Sequence, residues 1–102
     1  MARSRYNNLS GEGTTELLRE GDNVSVSKIS MANLHASNAV TVDLLIQKQN
    51  LGKFYLIKNV SIPALTSLIY DTTIDTKDGG FSLFINLTKS ASETPIVDVI
   101  AF

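Results

Sequence analysis

Val40-Thr41-Val42-Asp43-Leu44-Leu45-Ile46-Gln47 and Phe81-Ser82-Leu83-Phe84-Ile85-Asn86-Leu87-Thr88 are the two stretches that decide the fold. One parity of each is apolar throughout: Val40, Val42, Leu44 and Ile46 in the first, Phe81, Leu83, Ile85 and Leu87 in the second. Successive side chains of an extended chain point to opposite faces, so a period of two marks a strand with one buried face. The other parity is largely polar, but it carries Leu45 and Phe84 on faces that should point outward.

The neighbouring segments read the same way. Phe54-Tyr55-Leu56-Ile57 is apolar on both parities, the pattern of a strand covered on both faces or lying at an interface. Val24 and Val26 share a parity that Ile29 and Met31 do not, which predicts a bulge near Ser27-Lys28. Thr66–Tyr70 and Ile96–Phe102 complete the set, and Thr14–Arg19 is a short leading strand. Turn signals separate the runs: Leu34–Asn38, Gln49-Asn50-Leu51-Gly52, Pro63, Asp75–Gly80 and Ser90–Pro95. Pro63 lacks an N–H and biases Ile62 toward an extended conformation, so it should end one strand and turn the chain. The only helix-like stretch, Thr14–Glu20, is too short to stand alone. A parallel sheet needs crossover helices that are absent here, so the expected fold is all-β. It should be an antiparallel β-sandwich or jelly-roll-like barrel of six to seven short strands. Residues 1–13, rich in Ser, Asn and Gly, read as an extended N-terminal arm, and 14–102 as the sandwich domain.

Composition narrows the function classes. A chain of 102 residues with 43% hydrophobic and 19% charged side chains fits one packed domain. Nine basic and ten acidic residues balance to −1, which argues against a nucleic-acid binder driven by a basic field and against attraction to anionic membrane. Without cysteine there is no disulfide framework, thiolate nucleophile or usual zinc site. Arg3 and Arg5 are followed by no apolar run of signal-peptide length, and no run approaches the ~20 residues a spanning helix requires, so synthesis in a cytoplasm is expected.

Candidate chemistry is sparse. His35 is the only histidine and sits in a predicted loop with no nucleophile or orienting carboxylate at a useful spacing. Asp71, Asp75 and Asp78 surround a Gly-Gly turn, but their spacing is not that of a calcium loop, and aspartates favour turns for their own backbone bonds. No phosphate loop, nucleophile elbow or zincin motif is present. The reading is a non-enzymatic protein with no cofactor and no metal. More telling is the surplus of apolar side chains at Leu45, Phe84, Tyr55, Ile57 and along Ile96–Phe102, which one small core does not absorb. Such a surplus points to subunit contact.

Ile29-Ser30-Met31-Ala32-Asn33 followed by Ala39–Ile46, then Phe54–Ala64, Leu68-Ile69-Tyr70-Asp71 and Val97-Asp98-Val99-Ile100, resembles small β-sandwich virion structural proteins of tailed bacteriophages, of the kind common in marine and cyanobacterial phages. The resemblance covers about positions 24–102 and leaves the arm unmatched. Members of that family tend to have glycine after Ile-Pro-Ala, where this chain has Leu65. The resemblance implies a many-copy, non-enzymatic virion component. A capsid decoration or cement protein that stabilises the head shell leads, with a tail, baseplate or fibre-associated protein as the alternative. Expected partners are the major capsid protein or other virion subunits and further copies of the chain, with neither nucleic acid nor membrane. Candidate interface residues are Arg3, Arg5, Tyr6 and Leu9 of the arm, which should add a strand to a neighbour's sheet, and Tyr55, Ile57, Phe84 and Phe102 as apolar anchors. From a different class comes a receptor- or carbohydrate-binding module, for which Tyr55 and Tyr70 are the available aromatic platforms.

Overall fold

A computed structural model describes residues 5–19, 25–48, 52–76, 81–89 and 94–102. It contains β1 (Arg5–Ser10), β2 (Gly13–Leu18), β3 (Ser25–Asn33), β4 (Val40–Lys48), β5 (Gly52–Ile62), β6 (Ser67–Asp75), β7 (Ser82–Lys89) and β8 (Ile96–Ala101). The strands form two four-stranded antiparallel sheets: sheet A in the order β1-β8-β3-β6 and sheet B in the order β2-β7-β4-β5. Eight strands in this interleaved order make a jelly-roll β-sandwich.

The alternation read from the sequence builds the core. Val42 and Leu44 of β4 and Leu83, Ile85 and Leu87 of β7 face inward from sheet B, and Ile29, Met31, Val97 and Val99 meet them from sheet A. Burying such a side chain contributes about 1.5–3 kcal/mol, so these central strands anchor the fold. The bulge expected near Ser27-Lys28 is present as a register shift against β6 between Val26 and Lys28. The turns predicted around residues 49–51, 77–80 and 90–93 lie outside the described residues.

Two findings depart from the sequence reading. The strand count is eight rather than six or seven because the segment read as an arm is partly a strand. Residues 5–10 pair with β8 from Arg5↔Ala101 to Ser10↔Ile96. Strand addition therefore takes place within the chain: β8 offers its free edge to β1, and no neighbour is needed to hold residues 5–10. Gly11 (φ 99°) and Gly13 (φ 126°) then adopt left-handed backbone that side-chain-bearing residues rarely take, and they carry the chain from sheet A into sheet B.

The second departure lies in β5, whose 11 residues face the 9 of β4. The pairs Val42↔Val60, Leu44↔Ile57 and Leu45↔Tyr55 require two extra residues on β5, at Lys58-Asn59 and at Leu56. Each bulge resets the parity. Tyr55 thus points outward with Leu45, while Ile57, two positions on, packs against the core.

Pro63 ends β5 as expected, and the turn after it holds Leu65 at φ 57°. Leu65 is also 72% exposed, so an apolar side chain stands in solvent on a backbone conformation that suits glycine. The left-handed region costs an L-residue roughly 1–2 kcal/mol, and glycine's extra freedom in the unfolded chain returns part of that. Leu65→Gly is expected to raise stability by about 0.5–1 kcal/mol, read as a higher urea midpoint at unchanged slope. A midpoint at or below that of the parent would contradict the strain argument.

Candidate functional faces of the two sheets

The candidate sites lie on the outward faces of the sandwich. On sheet A, antiparallel register lines up Tyr6, Ile100, Ser30 and Ile69 as one row across all four strands. Tyr6 is 72%, Ile69 58% and Ile100 36% exposed, and Phe102 stands exposed two positions beyond Ile100. Polar groups border the row: Asn8 Nδ2 donates to Asp98 Oδ1 at 2.7 Å on one side, and Lys28 opposes Asp71 on the other.

Sheet B carries a different face. Its outward side holds a groove of about 310 Å³. Leu45 of β4 and Phe84 of β7 sit opposite each other in it, with Tyr55 of β5 continuing the row. Leu45 is buried without joining the core cluster, so the groove wall itself covers it. The next row is polar and internally bonded. Thr14 Oγ1 donates to Asn86 Oδ1 (3.2 Å), and Asn86 Nδ2 donates to Asp43 Oδ2 (3.2 Å). Lys58 Nζ lies 3.5 Å from the same oxygen and 4.4 Å from the centre of the Tyr55 ring.

Asp43 is the centre of this row. Its Oδ1 accepts the backbone N–H of Asn59 at 2.6 Å. Asn59 occupies the bulge with φ 55°, a position that asparagine tolerates better than most residues. Burial pushes the Asp43 carboxyl up, but the Asn59 N–H, the Asn86 amide and the Lys58 ammonium together outweigh it and hold the group below its ordinary value. The carboxylate is covered by its neighbours, yet it lies just beneath a solvent-facing surface, so these bonds are shielded but shallow.

At one end of the sandwich, buried Asn33 closes β3. Its Nδ2 donates to the carbonyls of Asn38 (3.0 Å), Ile62 (3.0 Å) and Pro63 (3.3 Å), and its Oδ1 accepts the His35 N–H (3.0 Å). His35 Nδ1 accepts the N–H groups of Ser37 and Asn38, each at 3.1 Å. The histidine therefore shapes the loop it sits in.

The sequence-predicted interface residues do not form one patch. Tyr6 and Phe102 belong to the outward side of sheet A, whereas Tyr55 and Phe84 belong to the groove on sheet B. Leu9 and Ile57 are corrections: both pack against the core, Leu9 because β1 is a sheet strand and Ile57 because of the bulge at Leu56. Arg5 pairs through its backbone with Ala101, and Arg3 lies outside the described residues. Of the two tyrosines considered as platforms, Tyr70 packs on the core and only Tyr55 is available, at 50% exposure. Asp71 faces out beside Lys28, and Asp78 lies outside the described residues. Among the described residues no three His, Cys, Asp or Glu side chains gather. The roles of Asp43 and Asn33 had no local signature, because their partners lie at positions 59, 62 and 86. A carboxylate between Val42 and Leu44, and an asparagine inside the β5 run, were the available hints.

Neither a protein-family model nor a curated protein sequence matches the chain. Among solved structures, the Yersinia pseudotuberculosis-derived mitogen aligns over 99% of this chain and 86% of its own, at 15% identity and a TM-score of 0.57. A structure of infectious bursal disease virus, Gx strain, aligns over 98% of this chain and 32% of its own, at 8% identity and a TM-score of 0.41. The T13 viral particle of the same virus gives 98%, 31%, 10% and 0.37. At these identities the likeness is one of fold: this chain is a jelly-roll β-sandwich, an architecture it shares with the mitogen.

Proposed function

We propose that the protein is a non-enzymatic structural component of a bacteriophage virion, a decoration or cement protein that docks on the head shell and reinforces it. The observation that carries this reading is the Tyr6–Ile100–Ile69 row on sheet A, with Phe102 beside it. A small sandwich has its core between the sheets, so a row of exposed apolar side chains across one outward face, interrupted only by Ser30, is surface prepared for another protein. The polar border of Asn8, Asp98, Lys28 and Asp71 matches the rim expected around such a contact. A repeated shell needs little from each copy, since many equivalent contacts act together. The sequence resemblance of residues 24–102 to small phage sandwiches supports the same reading.

Cryo-electron microscopy of the source particle tests it. Sandwich density at regular positions on the head lattice, with sheet A toward the shell, is the expected result. Density confined to the tail would replace cement by a tail or baseplate role, and absence from the particle would remove the virion reading. Because Ile69 and Ile100 are exposed, Ile69→Lys with Ile100→Lys should leave the fold intact by circular dichroism. It should weaken particle binding at least tenfold, about 1.4 kcal/mol. Undiminished binding by a folded double variant would move the contact elsewhere.

A further inference from the structure

We infer that the groove on the outward face of sheet B is a binding site for a carbohydrate, sized for one or two pyranose rings. The site lies on the sheet opposite the apolar row, so it stands or falls independently of the virion reading.

Three features converge. The first is an amphiphilic cross-section: Leu45 and Phe84 give an apolar floor, and the Thr14–Asn86–Asp43 row gives a polar edge. A pyranose has the matching form, with C–H groups on its faces and hydroxyls around its rim. The second is an aromatic wall. Tyr55 is half exposed, and the Lys58 ammonium over one side of its ring restrains it. The third is preorganisation with unused valences. Asn86 Nδ2 and Lys58 Nζ each spend a hydrogen on Asp43 and keep others to donate, while Thr14 Oγ1 donates once and still accepts. Adjacent sugar hydroxyls both donate and accept, so they suit a row that presents both kinds of group at fixed spacing. Because the row is already bonded to itself, little ordering remains to oppose binding.

Size and charge agree. A volume of about 310 Å³ sits at the small end of ligand pockets, which run from roughly 300 to 1,000 Å³. Lys53 and Lys58 line the groove, but the Asp43 carboxylate offsets one of them and the floor is apolar, which disfavours a simple anion.

The test is a titration of the ¹⁵N-labelled full chain with the methyl glycosides of glucose, galactose, mannose and N-acetylglucosamine, to about 50 mM, far above a millimolar Kd. Saturable shifts are expected for at least one sugar at the amides of Leu45, Tyr55 and Phe84, with Ile69 and Ile100 unmoved. Tyr55→Ala should weaken binding at least tenfold. Gln47→Ala, which lines the groove without a part in the Asp43 network, should also weaken it in a protein of parental stability. Silence toward all four sugars, or equal binding by both variants, overturns the proposal. Shifts produced only by sodium sulfate would make the groove an anion site around Lys53 and Lys58 and overturn it equally.

Discussion

Replacing Asn33 with alanine is expected to cost about 3 kcal/mol and to lower the melting temperature by roughly 12–24 °C. The side chain is buried and bonds to four backbone groups drawn from three segments: the 34–38 loop, the end of β5 and the turn after it. Alanine leaves the Ile62 carbonyl and its neighbours without that donor in a place water reaches poorly. An unsatisfied buried polar group costs ~1–3 kcal/mol, and the partly buried Asn38 and Pro63 carbonyls and His35 N–H lose their partner along with the buried Ile62 carbonyl. Asn33→Asp should be about as damaging, since it keeps the acceptor for His35 but loses both donors and buries a charge facing carbonyls. Urea unfolding followed by circular dichroism measures this, and a loss under about 1 kcal/mol for alanine would show that the loops hold their positions without the hub.

Asp43→Ala is expected to cost about 2–3 kcal/mol, with a pH dependence that identifies the mechanism. The variant removes the acceptor for the Asn59 N–H at the bulge and leaves Asn86 and Lys58 without their shared partner. The folded carboxyl titrates below its ordinary value of 3.8. Its contribution is therefore complete above that value and is lost as pH falls through the lower, folded-state value. Urea midpoints of parent and Asp43→Ala should differ fully at neutral pH and converge in acid. The Asn59 amide should also exchange faster in the variant. A gap that stays constant into acid would show that Asp43 acts by packing and not as a charged acceptor.

Period-two patterning made β4 and β7 legible, and the parity switch after Val26 located the β3 bulge, because both signals are local. β1 was not legible: Asn7, Asn8 and Ser10 look like a polar tail, and the partner that makes them a strand lies about 90 residues away. In β5 the alternation is broken by two inserted residues, which is why Ile57 read as an outward anchor beside Tyr55. The groove was half visible. Leu45 and Phe84 were expected on outward faces, but their meeting across β4 and β7 is a matter of register, which no stretch of sequence records. The glycine-favouring turn was marked by Leu65 itself, whose strained backbone is an observation only the fold supplies.

The seating of β8 between β1 and β3 also sets an order of events during synthesis. Until residue 101 has left the ribosome, the first strand made has nothing to pair with and β3 shows a bare edge. Sheet B meets the same delay more briefly, since β2 and β4 both wait for β7. Closure of this sandwich should therefore wait for its last strand and be slow for its length, as expected where most pairings span long loops. The nascent chain spends that interval with open strand edges, which favours pairing between chains when it is made in abundance.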